Sequence, residues 1–173
     1  MGTHYSVLLQ ETLSYLNIKK DGIYADLTLG RGGTSSEILK RIPEGHLYAF
    51  DRDQEAIDDS IERLKAIGTN FTIIHDNFAS FKDDLLERGV PKLDGIVADL
   101  GVSSPQFDEG ERGFSYKVDA PLDMRMDLRS QKSAKSIVNT YSFEDLARIF
   151  RLYGEDPDSA KVASLIVKER EKK

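Results

Sequence analysis

Two carboxylates and one glycine turn carry the chemistry that can be read from this chain. The turn is Gly30-Arg-Gly-Gly33, three glycines in four positions, following the apolar run Ile23-Tyr-Ala-Asp-Leu-Thr-Leu29. Glycine admits positive φ and lets a ligand approach the backbone with no Cβ between them. A helix starting just beyond adds unpaired N–H groups and a partial positive charge, which suit the polar end of a nucleotide-like ligand. The first carboxylate, Asp51, closes the run His46-Leu-Tyr-Ala-Phe50 and stands 21 residues after Gly30. That spacing puts an acid at the end of the next strand, placed to accept hydrogen bonds from ribose hydroxyls. The second, Asp99, leaves an apolar strand for the loop Leu100-Gly-Val-Ser-Ser-Pro-Gln106. The carboxyl edge of a parallel sheet is where α/β proteins bind ligands. Together these residues point to an adenosine-bearing cofactor. Each also has a plain structural alternative: a strand-to-helix corner for the turn, a solvated strand end for Asp51, a structural acid for Asp99.

The tripeptide Asp76-Asn-Phe78 offers a ring to stack on a purine face, or a phenylalanine that fills the core; the residues alone leave both open. Other chemistries fit less well. Ser35 occupies the third glycine position of G-x-G-x-x-G, which weakens a dinucleotide-dependent dehydrogenase. The pattern G-x-x-x-x-G-K-[ST] of phosphoryl-transfer loops is absent. Ser103 and Ser104 lack the G-x-S-x-G setting of a hydrolase nucleophile. His4, His46 and His75 are scattered and there is no cysteine, so no metal site is expected.

The elements that must hold these residues alternate. Helical spacing runs over Val7–Ile18, Ser35–Ile42, Gln54–Ile67 with Asp53 as N-cap, and Phe81–Arg88 closed by Gly89. Strands are expected at Ile23–Leu29, His46–Phe50, Phe71–Ile74 and Leu93–Leu100. Strand and helix alternating through short connections predict a parallel α/β sheet with helices on both faces. The rhythm breaks after Gly101, where Val102–Arg129 is rich in Ser, Pro, Gly and charge. Helices follow at Phe143–Leu152, with Ser142 as its cap, and at Ser159–Lys173. No fifth strand appears, so one side of the sheet is expected to depend on chain beyond residue 173.

With 39% hydrophobic and 31% charged residues, the chain reads as one well-solvated domain or most of one. No run approaches the roughly 20 apolar residues of a membrane span. The absence of cysteine fits a reducing cytoplasm. The net charge is −6, but the excess acid lies before residue 110 and residues 111–151 are mildly basic. RNA contact is therefore permitted. Arg112 and Arg125 are candidates to face phosphates, or else to pair with Asp119 and Asp123, and Phe114 is a candidate to stack on a base.

Five segments then stand together: His4-Tyr-Ser-Val-Leu-Leu9, Asp26-Leu-Thr-Leu-Gly-Arg-Gly-Gly33, Asp94-Gly-Ile-Val-Ala-Asp-Leu-Gly-Val-Ser-Ser-Pro-Gln106, Glu111-Arg-Gly-Phe-Ser-Tyr116 and Pro121-Leu-Asp-Met-Arg-Met-Asp127. In order and content they resemble the bacterial ribosomal RNA small subunit methyltransferase H family, also called MraW. The resemblance implies a Rossmann-like S-adenosylmethionine-dependent methyltransferase fold and methylation of N4 of a cytidine in 16S rRNA. It implies a cytoplasmic enzyme whose partner is the small ribosomal subunit, with no membrane and no metal. Cofactor contacts are implied at Gly32, Gly33, Thr34, Asp51, Phe78, Asp99 and Gln106, with Asp99 also the catalytic candidate. The family usually has His where this chain has Thr34. It also carries a helical insert after the fourth strand, which divides the chain into a core at 1–104 and a substrate-recognition region at 105–173. The family's remaining strands follow that insert, so the chain is expected to be truncated, and the alternative is a cofactor-binding fragment that is inactive without the C-terminal half.

Overall fold

Short apolar strands that are buried on both faces can satisfy their backbone groups only against one another, and helical connections make that pairing parallel. The computed structural model describes residues 8–172, apart from the side chain of Pro105, so His4, Val7 and Lys173 lie outside the described residues. Strands β1 (Ile23–Asp26), β2 (His46–Asp51), β3 (Phe71–His75) and β4 (Gly95–Val97) form one parallel sheet in the order β3-β2-β1-β4. This is the first half of a doubly wound, Rossmann-like order, with β1 at its centre. In register, Asp26 stands opposite Ala49 and Val97, and Asp51 opposite His75.

Both faces are covered, as the alternation predicts. Helices α1 (Leu9–Leu16), α2 (Gly33–Leu39) and α3 (Gln54–Lys65) bury Leu13, Ile38, Leu39, Ile57 and Leu64 with Tyr24, Leu47 and Ala49 of the strands. Helix α4 (Phe81–Glu87) packs Leu85 with Phe50 and Ile74 in a second cluster. Along β2 the side chains alternate between these clusters, with period two. Asp53 caps α3, its carboxylate accepting from the Glu55 amide at 3.3 Å.

The strands are shorter than their apolar runs. β1 stops at Asp26 because its Oδ1 accepts from the Thr28 amide at 3.0 Å and bends the chain into a turn. The next residues stay tethered to both neighbours, Leu27 N–H donating to Val97 O at 2.9 Å and Leu29 N–H to Phe50 O at 2.8 Å. β4 spans three residues rather than eight and is an edge, with Ile96 45% exposed.

The chain divides into two compact units, 1–101 and 102–173. The second holds α5 (Ser104–Asp108), α6 (Ala134–Thr140), α7 (Phe143–Leu152) and α8 (Ser159–Arg170). α7 and α8 fall where their periodicity places them, and Ser142 caps α7 by accepting from the Asp145 amide at 3.0 Å. Helix α5 lies in the stretch Val102–Arg129, where the rhythm breaks, and α6 lies between that stretch and α7, where no helix is expected from the sequence. Neither presents an apolar stripe long enough to be seen, and α6 is instead set by a Ser133/Ser136 capping box. Arg170 of α8 donates to the carbonyls of Val138 and Tyr141 at 3.1 and 2.7 Å, satisfying the end of α6.

Two glycines of the turn have different reasons to be glycine. Gly32 has φ 73° and a Cβ there would lie 3.1 Å from Ser60 Cβ on α3, whereas Gly30 has φ 51° and no such neighbour closer than 3.9 Å. Gly30→Ala is expected to destabilise only through the left-handed strain it introduces, about 1 kcal/mol. Gly32→Ala adds a contact that two packed backbones must yield to, for a total of about 2–3 kcal/mol. Urea unfolding of the two variants checks the order, which reverses if Gly32 serves ligand approach alone.

Candidate active site

The site is built around a carboxylate buried at the end of the central strand. Asp26 is 1% exposed. Its Oδ1 accepts from the Thr28 amide at 3.0 Å and its Oδ2 accepts from the Ser35 hydroxyl at 2.7 Å. Burial pushes its carboxyl above the ordinary carboxylate range, against the opposing pull of the Ser35 and Thr28 hydrogen bonds. Ser35 thus replaces the close helix–strand packing of a third glycine with a hydrogen bond, and α2 is docked on β1 through polar atoms.

Asp51, one strand over, shapes the glycine turn directly. Its Oδ2 accepts from the Gly30 amide at 2.8 Å and its Oδ1 from the Asp53 amide at 2.9 Å. A carboxylate oxygen has two lone-pair sites, so each retains one for a ligand hydroxyl. Asp51 is half-buried, with its strand end at the carboxyl edge of the sheet. The backbone cradle begins at Gly30 and runs into the first turn of α2 at Gly33 and Thr34, both half-buried.

Beyond β3, Asn77 caps a short 3-10 turn at Phe78–Ser80 by accepting from the Ala79 amide at 3.0 Å. Phe78 is 38% exposed and belongs to neither core cluster; Phe81 fills the core instead. The ring is therefore free of the structural duty it might have had. On the other side of β1, the Asp99 amide donates to Thr28 Oγ1 at 2.7 Å and the Asp99 residue is exposed. Gly30–Thr34, Asp51, Phe78 and Asp99 all lie at or just beyond the carboxyl ends of the strands.

Gln106, Arg112, Phe114 and Arg125 belong to the second unit. Gln106 is 5% exposed and its Oε1 accepts from the Ser103 amide at 3.0 Å, closing the Ser-Ser-Pro turn. Arg125 grips Asp123 bidentately at 2.7 and 2.8 Å and also donates to the carbonyl of Ser130 at 2.9 Å. That pairing holds the Asp123 carboxyl below its usual range. Arg112 donates to the carbonyls of Arg125 and Met126 at 3.1 and 3.2 Å, with its guanidinium 5.9 Å from the Phe114 ring centre. Arg125 thus pairs with Asp123, and Arg112 donates to two carbonyls of the same loop. A cavity of about 500 Å³ in this unit is lined by Arg151, Glu155, Asp156, Pro157, Ser159 and Ala160, none of them an expected site residue.

Sequence reasoning passed over Asp26 and Thr28 as functional residues. The signal was there in Asp26, an acid interrupting an apolar strand just before a glycine turn. Nothing local marks Thr28, whose partners are 71 residues away at Asp99 and two residues away at Asp26.

With this geometry in view, comparison with known proteins is specific. The sequence matches the MraW methylase family over residues 1–173. It is 53% identical over 171 residues to the ribosomal RNA small subunit methyltransferase H of Exiguobacterium sibiricum, covering 99% of this chain and 55% of that protein. The protein of the same name from Streptococcus equi subsp. equi is 54% identical over 170 residues, with 96% and 54% covered. The chain spans about half the length of the curated relatives it matches. Among solved structures, a precorrin 8w decarboxylase from Methanobacterium thermoautotrophicum aligns with TM-score 0.47 and 23% identity over 57% of this chain and 50% of that one. An rRNA methylase from Streptococcus thermophilus aligns with TM-score 0.40 and 21% identity over 47% of this chain and 50% of that one.

The buried Asp26 carboxyl makes a pH prediction. Its pKa is raised in the folded state by burial, so the folded state binds the proton more tightly than the unfolded chain. The associated stability is present below about pH 4 and is lost as pH rises through the folded value. Relative to Asp26→Asn, which cannot ionise, the wild-type protein is expected to lose stability steadily from about pH 4 upward. Urea unfolding of both proteins at a series of pH values checks this; parallel profiles would show that Asp26 is not perturbed.

Proposed function

The chain belongs to the MraW methylase family, and on that premise we propose that it binds S-adenosylmethionine and serves the methylation of N4 of a cytidine in 16S rRNA of the small ribosomal subunit, in the cytoplasm. The observation that carries the reading is the glycine turn held open by Asp51, with a lone pair on each carboxylate oxygen still available. The residues fit the cofactor. Gly30 leaves the space on its Cβ side empty to 3.9 Å, Asp51 accepts from the ribose hydroxyls, and Phe78 lends its exposed ring to the adenine. Gly32, Gly33 and Thr34 contribute backbone, which tolerates Thr in place of the family's His. Gln106 is assigned a cofactor contact from its family position.

Charge distinguishes this cofactor from a dinucleotide. Asp51, Asp76 and Asp99 lie along one edge of the sheet, a field that favours a sulfonium cation and disfavours a pyrophosphate. When bound, S-adenosylmethionine supplies a methyl group already activated by the sulfonium charge. The protein must then align the acceptor in line with that methyl. The lone pair of an exocyclic amine is delocalised into its ring, so an acceptor holding the amino hydrogens favours the pyramidal nitrogen. Asp99 takes that role, with the Ser103–Pro105 backbone, and receives the proton that the nitrogen gives up. A base inside folded RNA must first be unstacked. The second unit is assigned the RNA contact, with Arg112, Phe114 and Arg125 shaping the loop that meets it.

A second reading rests on length. Because the chain spans about half of its relatives, it is alternatively a cofactor-binding span that transfers no methyl group unaided. Titration calorimetry with S-adenosylmethionine, followed by methyl transfer to small-subunit RNA, separates the two. Wild-type protein is expected to bind, and Asp51→Ala to bind at least tenfold more weakly. Asp99→Asn should lower methyl transfer at least tenfold while changing the cofactor Kd less. Binding without transfer by the wild type selects the second reading, and no binding overturns both.

A further inference from the structure

Thr28 holds a place that neither the cofactor contacts nor the catalytic candidate accounts for. Its amide donates to Asp26 Oδ1 at 3.0 Å and its Oγ1 accepts from the Asp99 amide at 2.7 Å. A threonine hydroxyl oxygen is an acceptor as well as a donor, and here it receives the Asp99 amide while the Thr28 amide holds the Asp26 carboxylate. One residue thus joins the buried carboxylate, through its own amide, to the amide at the start of the loop after β4, through its hydroxyl. Residues 98–101 of that loop are exposed, with Leu100 68% exposed. Ladder pairing to β1 ends at Val97, so the Thr28 bond is what returns this segment to the sheet among the described hydrogen bonds. The same Asp26 carboxylate holds Ser35 at the first turn of α2. One buried group therefore anchors both the helix behind the glycine turn and, through Thr28, the backbone that presents Asp99.

We propose that Thr28 is a positioning residue whose hydroxyl locks the loop carrying Asp99 to the glycine turn, so that cofactor cradle and catalytic carboxylate are presented as one rigid edge. The proposal rests on the reading of Asp99 and of the cofactor given above. It predicts that the hydroxyl matters and the methyl does not. Thr28→Val keeps the shape and removes the donor and acceptor; Thr28→Ser keeps both.

The test is amide hydrogen exchange on the free protein, with cofactor calorimetry beside it. In wild-type and Thr28→Ser protein the Asp99 amide is expected to exchange slowly. In Thr28→Val it should exchange at least tenfold faster, while the core amides of Leu47 and Ala49 are unchanged. The Kd for S-adenosylmethionine should weaken at least fivefold in Thr28→Val and stay within twofold in Thr28→Ser. An unchanged Asp99 amide in Thr28→Val, or equal loss in Thr28→Ser, overturns the proposal; so does acceleration of the core amides to the same extent, which marks general loosening. Should Thr28→Val not fold, Thr28→Ala is read in the same way. Failure of wild-type protein to bind the cofactor would instead sink the functional reading, and the exchange comparison would still decide whether Thr28 locks the loop.

Discussion

A carboxylate shut away from water at the end of the central strand is the constraint from which the rest of the first unit follows. Removing a charge from water costs several kcal/mol unless hydrogen bonds answer it. Asp26 is answered by the Thr28 amide and the Ser35 hydroxyl. Each answer has a structural consequence. The amide bond ends β1 and starts the turn; the hydroxyl bond docks α2. The strand-end acid is thus the reason the glycine turn has its shape, and the turn is where the candidate cofactor contacts begin.

Asp51 repeats the device one strand away with a different balance. It also holds backbone amides, at Gly30 and Asp53, but it is only half-buried and keeps acceptor capacity facing outward. Two aspartates of the same type thus divide the work: the buried one builds, and the half-buried one builds and remains available to a ligand. The glycines divide similarly. Gly32 is fixed by its φ and by Ser60 of α3, while Gly30 is fixed by its φ and leaves open space beside it.

The second unit shows how charge that looks free in a sequence is spent in a fold. Arg125 and Arg129 each close on an aspartate two residues earlier, and Arg112 satisfies carbonyls of the same loop. Between Gly110 and Ser133, where no long helix or strand forms, such polar ties give the stretch a defined path. His46 and His75 are likewise engaged, with the Thr72 hydroxyl and the Arg52 carbonyl.

Much of this was legible in the chain itself. Periodicity located α3, α7 and α8 closely, and in α3 and α7 a polar cap, Asp53 and Ser142, fixes the start locally. Alternation of strands and helices dictated a parallel sheet. The turn, Asp51 and Asp99 were legible as candidates because glycine and acid at strand ends stand at the carboxyl edge of a parallel sheet. Strand lengths were not legible: the apolar runs at Ile23–Leu29 and Leu93–Leu100 place the strands, whereas pairing stops where a side chain such as Asp26 captures the next amide or where a neighbour is lacking. The pairing of Arg125 with Asp123 and the exposure of Phe78 appear only in the tertiary structure, since each depends on what stands nearby. Thr28 was invisible for the same reason. Its significance is a hydrogen bond to a residue 71 positions away, and only the adjacency of β1 and β4 brings the two together.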